Sequence, residues 1–399
     1  MSAVEDGPQL TLVGKLFMVL FLGACGFGAW WLFVKKDASP LHGTPANGQT
    51  DTVNKGEQTV IRIAYGTEKE RWLKWAVEEF EKTKSSQNYQ VELLPLGSLE
   101  GSRATVSGEQ EITVWSPASS AYREVFAEEW RLKFGDSPAI IREETLALSP
   151  MVFVVWKERY EAFASKYGKM DFFTTSQALA EPGGWGGIAQ RPEWGFFKFG
   201  HTNPNQSNSG LITLALMAHH FHGKATPLQL ADIVDPAFQT WLKSTERAVS
   251  GLISSTGTMM KDMVLKGPAS YDAIFVYENV AINYLENAKG RWGELTVIYP
   301  KYNIWNDNPY YIIDGPWVSR AQKVGAGLFL DFLMSEPIQA KSLEHGFRPG
   351  NPAIAINGVE SPFSRYQAQG IQIELPIIVE TPTAPAINNL LTGWQRLRN

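Results

Sequence analysis

From residue 59 onward, short β-branched apolar runs alternate with segments of helical period. That alternation confines the chain to layered α/β architectures whose strand ends point one way. Val60-Ile61-Arg62-Ile63-Ala64-Tyr65 reads as a strand. Gly66-Thr67 then leads into a helix with Trp72, Trp75, Ala76 and Phe80 on one face, and Thr67-Glu68-Lys69-Glu70 fits a capping box. Further strands are expected over residues 90–94 and 111–115, the latter ending in Ser116-Pro117-Ala118-Ser119-Ser120 before a helix through Tyr122, Phe126 and Trp130. The apolar run 146–156 is broken by Ser149-Pro150, which marks the chain passing into a second lobe. Residues 273–277 form a buried-type strand ending in Glu278-Asn279, with Asn279 placed to cap the next helix, and residues 309–313 return to the first lobe. Ile387, Leu390, Leu391, Trp394 and Leu397 share one face of a terminal helix that should pack on the body.

Ahead of this body, residues 16–34 are an uncharged run of about the length a membrane-spanning helix needs. Lys15 and Lys35-Lys36 flank it, and Trp30-Trp31 suit an interfacial belt. A cleaved signal peptide competes, although no small-residue cleavage site precedes Lys35. Leu22-Gly23-Ala24-Cys25 resembles a lipobox, but the residues after Cys25 stay apolar. The expectation is a tail over 1–15, a single-pass anchor over 16–34 and a flexible polar linker over 35–58. Cys25 is the only cysteine, so an intrachain disulfide and a cysteine-based zinc site are excluded. A formal charge of -5 without a basic stripe gives no reason to expect nucleic acid.

The stretch 194–211 reads as an aromatic strand, a polar turn and a helix start at Ser207-Asn208-Ser209-Gly210. The first N–H groups of a helix lack partners within it and its dipole is positive there, so this is either a seat for an anion or carboxylate or an ordinary capped helix. His219 and His222 lie one turn apart with His201 and His220 nearby, but no acid accompanies them within that helix, so packed or surface histidines are favoured over a metal site. No serine stands at a recognisable spacing from a histidine base and an orienting acid, so no catalytic residues are assigned.

Four features together resemble the bacterial type II periplasmic solute-binding proteins, and within them the molybdate/sulfate-binding group. They are the opening strand with Gly66-Thr67; the strand end Trp115-Ser116-Pro117-Ala118-Ser119; the turn Thr202-Asn203-Pro204-Asn205-Gln206-Ser207-Asn208-Ser209-Gly210; and Phe329-Leu330-Asp331-Phe332-Leu333-Met334-Ser335-Glu336-Pro337 with Gly346-Phe347-Arg348-Pro349. Asn203 stands where that turn usually has Asp, and no basic residue lies in the strand before Glu278.

The resemblance implies an α/β, two-lobed fold with two hinge crossovers: lobe 1 from 59–149 and 308–399, lobe 2 from 150–307. It implies hinge closure on a small-molecule solute and an ABC-type permease as partner, with no cofactor and with the globular domain on the extracytoplasmic side of the cell membrane. The candidate ligand groups are Gly66, Thr67, Ser116, Ser119, Ser207, Asn208, Ser209 and Tyr277, hydroxyls and amides with no cation among them. Glu278 belongs to the site if it points inward, where it would favour an ammonium or hydroxyl donor; pointing outward it is a helix-start charge. Thr67 has its capping box as an alternative use. The expected function is capture of a small anionic or zwitterionic solute, with a ligand-sensing or interaction module of a membrane complex as the alternative.

Overall fold

The computed structural model describes residues 58–375 and 377–398. The expected tail, the anchor over 16–34 and nearly all of the linker lie outside the described residues. Among the described residues no helix is long and apolar enough to cross a membrane.

The body is built on two sheets. Strands β1 (Thr59–Tyr65), β2 (Tyr89–Pro95), β3 (Val114–Ser116) and β4 (Ile140–Thr145) belong to the first. Strands β5 (Ala147–Leu148) and β6 (Met151–Trp156) follow, then β7 (Phe199–Gly200), β8 (Ala273–Tyr277), β9 (Leu295–Ile298), β10 (Tyr302–Asn303) and β11 (Pro309–Ile313). The first sheet has the order β2-β1-β3-β11-β4, with β1 parallel to β2 and β3 and β11 antiparallel to its neighbours. The second has the order β7-β8-β6-β9, with β6 antiparallel to β8 and β9. All of β6 and β8 is buried, which is why both read as unbroken apolar runs. Helix α1 (Glu70–Phe80) buries Trp72, Leu73, Ala76 and Phe80 against the first sheet, whereas Trp75 is half-buried beside His345.

The chain crosses between the sheets at 146–150 and at 299–308, and again between residue 344 and the terminal helix, so the two expected crossovers are joined by a third. Ser149 N donates to Asn306 O at 3.0 Å and Asn306 N to Ser149 O at 3.1 Å, so the two crossovers run side by side. Three fully buried asparagine side chains stitch them together. Asn303 Nδ2 donates to Met151 O (2.7 Å) while its Oδ1 accepts from Met151 N (2.8 Å). Asn306 Nδ2 donates to Ser149 O (3.0 Å), and Asn308 Nδ2 to Ala147 O (3.0 Å) and Asn306 O (2.9 Å). Ser149-Pro150 thus separates β5 from β6 at a crossing point, as its sequence predicts.

The terminal helix corrects one expectation. It lies over Ala384–Arg398 and packs on the helices Asn208–His222, Leu230–Val234 and Pro236–Ala248, which flank the second sheet. Residues 308–399 therefore do not all belong with the first sheet. The anchor is polar as well as apolar: Trp394 Nε1 donates to Glu246 Oε2 at 2.6 Å, Arg398 Nη1 donates to Glu246 O at 2.7 Å, and His201 Nε2 lies 2.9 Å from Glu246 Oε1. His201 and Glu246 are both fully buried. Burial by itself lowers the His201 pKa, but the Glu246 carboxylate outweighs it and raises the value above 6.5. Burial likewise opposes the Glu246 charge, yet His201 leaves that carboxyl below 4.5.

Two predictions follow from this packing. A raised histidine contributes stability that is complete below 6.5 and lost as pH rises through the folded pKa; a depressed carboxyl contributes stability that is complete above 4.5 and lost as pH falls through its folded pKa. Glu246→Gln should therefore lower unfolding free energy most between these two values, by about 3–5 kcal/mol, and by less on either side, as read by urea denaturation across pH. Asn308→Ala removes both crossover hydrogen bonds at a residue with φ of 41°, and should cost on the order of 3 kcal/mol in the same assay.

Candidate ligand-binding cleft

Four helical starts converge on one cavity of about 560 Å³ between the sheets. The first is the 3-10 turn Thr67–Lys69 that follows β1, with Gly66 ahead of it. The second is α2 (Ser98–Ser107), which begins at Gly97 just past β2. The third is α3 (Asn208–His222), with Ser207 as N-cap. The fourth is α4 (Thr256–Lys266), where Ser255 Oγ accepts from Thr258 N at 3.3 Å. The first-turn N–H groups of such starts have no partner inside their own helix. Residues from all four starts line the cavity, together with Tyr277 at the end of β8.

The walls touch one another across this cavity. Thr67 Oγ1 lies 3.4 Å from Ser255 Oγ, and Asn279 Nδ2 donates to Glu68 O at 3.0 Å. At Gly97 a Cβ would stand 2.6 Å from Gln206 O, so only glycine permits this approach. The arrangement is a closed one.

Of the residues singled out from sequence, Gly66, Thr67, Ser207, Asn208 and Tyr277 line the cavity. The other four do not. Ser116 Oγ donates to Pro309 O at 2.7 Å within the first sheet. Ser119 Oγ accepts from Ala121 N at 3.2 Å as a local cap. Ser209 is fully buried beneath the lining, with its Oγ 2.6 Å from both Thr202 Oγ1 and Thr256 Oγ1 and 3.1 Å from Ser207 Oγ. Glu278 is fully buried and meets Arg348 through two hydrogen bonds of 2.8 Å, with Tyr299 OH donating to the same carboxylate. It is neither a cleft residue nor a solvated one: its hydrogen bonds fasten β8 to the segment around Arg348, whose side chain also donates to Gln372 O and Ile373 O at 2.6 Å.

Two helix caps differ from expectation as well. The α-helix begins only at Glu70, with no side-chain cap, so the Thr67 hydroxyl is not consumed by a capping box and reaches Ser255. The helix after β8 starts at Glu278, and Asn279 turns its side chain to Ser149 Oγ (2.9 Å) and Glu68 O instead of capping. The histidines are engaged elsewhere: His219 Nδ1 lies 2.7 Å from Lys224 O and His222 Nε2 2.8 Å from Asp232 O.

Sequence reasoning missed Ser98, Glu68, Glu100, Arg103 and the run Ser254-Ser255-Thr256, all on the cavity wall. The serine–threonine run ahead of a helix and Gly97-Ser98 after a strand carry the same signal as Ser207-Asn208, and could have been found by it. Lys69 could not. It is fully buried and forms an ion pair with Glu68 Oε1 at 2.6 Å, while donating to Pro117 O (3.0 Å) and Asn308 Oδ1 (3.1 Å). Burial draws its pKa below 10.5, and Glu68 opposes that shift. Tyr277, also buried, has its pKa held well above 10 by desolvation and then by the Glu68 charge, so its phenol stays protonated at neutral pH. Its oxygen accepts from Asn208 Nδ2 at 3.0 Å, and the same Nδ2 donates to Asn306 Oδ1 of the crossover at 2.8 Å.

The cavity is thus lined by hydroxyls, amides and helix starts drawn from the sides of both sheets. The comparisons agree with this arrangement in fold. A family model described as bacterial extracellular solute-binding protein matches residues 61–348, more than half of the chain. The sulfate-binding protein SubI from Mycobacterium tuberculosis H37Rv superposes with a TM-score of 0.54 at 17% identity, covering 86% of this chain and 98% of that one. A periplasmic thiamin binding protein gives 0.60 at 11% identity, over 90% and 100%. The ABC substrate-binding protein Lmo0181 from Listeria monocytogenes, in complex with cycloalternan, gives 0.56 at 12% identity, over 86% and 97%. A comparison with curated protein sequences returned no match. The chain has the two-lobed α/β fold of periplasmic binding proteins and belongs to the bacterial extracellular solute-binding protein family, a family of binding proteins and not of enzymes.

Proposed function

We propose that this chain captures a small anionic or zwitterionic solute in the cleft between its lobes and presents it to an ABC-type permease. The observation that carries this reading is the convergence of four helical starts on one cavity of about 560 Å³, a volume in the range of small-molecule sites. Oriented N–H groups and hydroxyls meet the acceptor atoms of such a solute without a counter-charge. Each hydrogen bond to a charged group contributes roughly 1.5–3 kcal/mol, so a handful suffice for tight binding in a closed cleft. Gly66, Thr67, Ser207, Asn208 and Tyr277 are the proposed contacts from the original set, with Ser98 and Ser255 added. The apolar run over 16–34 would hold the protein at the membrane with its globular part on the extracytoplasmic side. That same run favours a second reading, a tethered sensor that signals to a membrane partner on closure. Co-purification with a permease and an ATPase supports the importer; co-purification with a signalling protein alone supports the sensor.

A thermal-shift screen of a fragment spanning 40–399 tests the cleft. A solute at about 100 times its dissociation constant should stabilise the fragment by roughly 2.7 kcal/mol. Gly97→Ala sharpens the test, because its Cβ would stand 2.6 Å from Gln206 O across the cleft and oppose the closed arrangement. Its unfolding temperature without solute should match the parent, while affinity by titration calorimetry falls about 10- to 100-fold, equivalent to roughly 1.4–2.7 kcal/mol. Unchanged affinity would remove the cleft assignment.

A further inference from the structure

The lining of the cleft is not uniform. Most of it offers donors, but one pole offers acceptors. The Glu68 side chain is only 6% exposed, and its Oε1 is held by Lys69. Its carboxylate is packed so closely over Gly66 that a Cβ there would fall on it, and Gly66 is the place where a strand-to-helix turn would otherwise receive an anion. Oε2 takes no hydrogen bond from the described residues. Also in the lining stands Asn208, 3% exposed, whose Oδ1 is buried and has no partner among the described residues even though both of its Nδ2 hydrogens are used. A buried carbonyl oxygen of this kind is rare and calls for a donor. Lys69 cannot serve as the balancing cation for an anion here, because its ammonium is spent on Glu68, Pro117 O and Asn308 Oδ1. The one cation on the wall, Arg103, has a side chain 67% exposed.

Resting on the reading of this cavity as a solute site, we propose that its solute carries hydrogen-bond donors, ammonium or hydroxyl, which engage Glu68 Oε2 and Asn208 Oδ1 while the helix starts take its acceptor end. The cleft is thus built for a zwitterionic or polyhydroxylated solute, and a fully deprotonated tetrahedral oxyanion, having no hydrogen to give, leaves both acceptors unmatched. The same polarity distinguishes the two donor types, since only an ammonium gains from the full charge of Glu68.

The full-length protein in detergent is screened by thermal shift at pH 7.5 against sodium sulfate, molybdate and tungstate as donor-free anions. Amino acids and mono- and disaccharides serve as donor-bearing probes, and any probe that binds is titrated by calorimetry. Binding confined to donor-bearing probes is expected. Glu68→Gln should weaken an amino acid at least 10-fold and remove the salt dependence of its affinity; for a saccharide the loss should be smaller and salt-independent. Because Glu68 also neutralises buried Lys69, Asn208→Leu is the second variant, expected to weaken either type at least 10-fold with Glu68–Lys69 intact. Tight binding of sulfate or molybdate would overturn the donor inference while leaving the cleft reading in place. Binding of a donor-bearing probe that neither variant changes overturns it too, and no shift with any probe overturns both.

Discussion

Everything about this fold depends on the pair of crossovers that Asn303, Asn306 and Asn308 hold together. Two sheets joined by a few passes of chain would slide unless the joining segments were fixed to each other. A regular ladder would fix them but would also continue one sheet into the other. Side-chain amides avoid that outcome: each donates to a backbone carbonyl on the facing segment, and Asn303 also accepts from a backbone N–H there, without extending a strand. The stitching then reaches outward. Asn308 Oδ1 accepts from Lys69 under the first wall of the cleft, and Asn306 Oδ1 accepts from Asn208 in the second. The crossovers are therefore hydrogen-bonded to both sides of the candidate cleft.

Electrostatically the cleft is a compromise between helix starts, which favour negative charge, and the carboxylates of Glu68 and Glu100 that share its lining. Glu100 is largely internal to its own helix, accepting from Gly97 N at 3.3 Å. Glu68 is different, because its partner is a fully buried lysine. Taking an ammonium out of water is unfavourable by several kcal/mol, and one ion pair with two carbonyl acceptors offsets that only when the geometry is good. Such a pair adds little net stability. What it supplies is position: it holds Glu68 against Gly66 and sets which oxygen remains for the cleft.

Much of this was legible from residue patterns, and what was not has a physical reason. The α/β alternation, the break between β5 and β6 at Ser149-Pro150 and the helix start at Ser207-Asn208 all depend on local sequence, and the structure places each where the pattern puts it. Five of nine proposed site residues line the cavity because strand-to-helix junctions necessarily gather at one edge of a sheet. Ser209, two residues on from Ser207, is held under the lining by Thr202 and Thr256, two hydroxyls that no local pattern pairs with it, while Ser207 reaches the cavity. Glu278 failed because its partner Arg348 is 70 residues away in sequence. The terminal helix showed its apolar face plainly, but nothing in that face says which lobe receives it; the Trp394–Glu246 contact decides that, and Glu246 lies in an otherwise ordinary helix.

Those two long-range fasteners also determine where the molecule can bend. Glu278–Arg348–Tyr299 ties β8 to the segment that returns from the first sheet, and the terminal helix clamps α3 to the helices beside it. Both are buried and charged, and separating either would strand a carboxylate in the interior at a cost of about 3–5 kcal/mol. The contacts between the walls are of another kind: one long hydroxyl pair, Thr67–Ser255, two amide-to-carbonyl bonds, Asn279–Glu68 and Asn283–His345, and an exposed Arg71 Nη1 bond to Asn283 O at 3.3 Å. None strands a charge when broken, and each group finds water instead at a net change of about 0.5–1.5 kcal/mol. Parting the walls at the cleft would leave both of these buried fasteners in place, as a hinge about the crossovers requires.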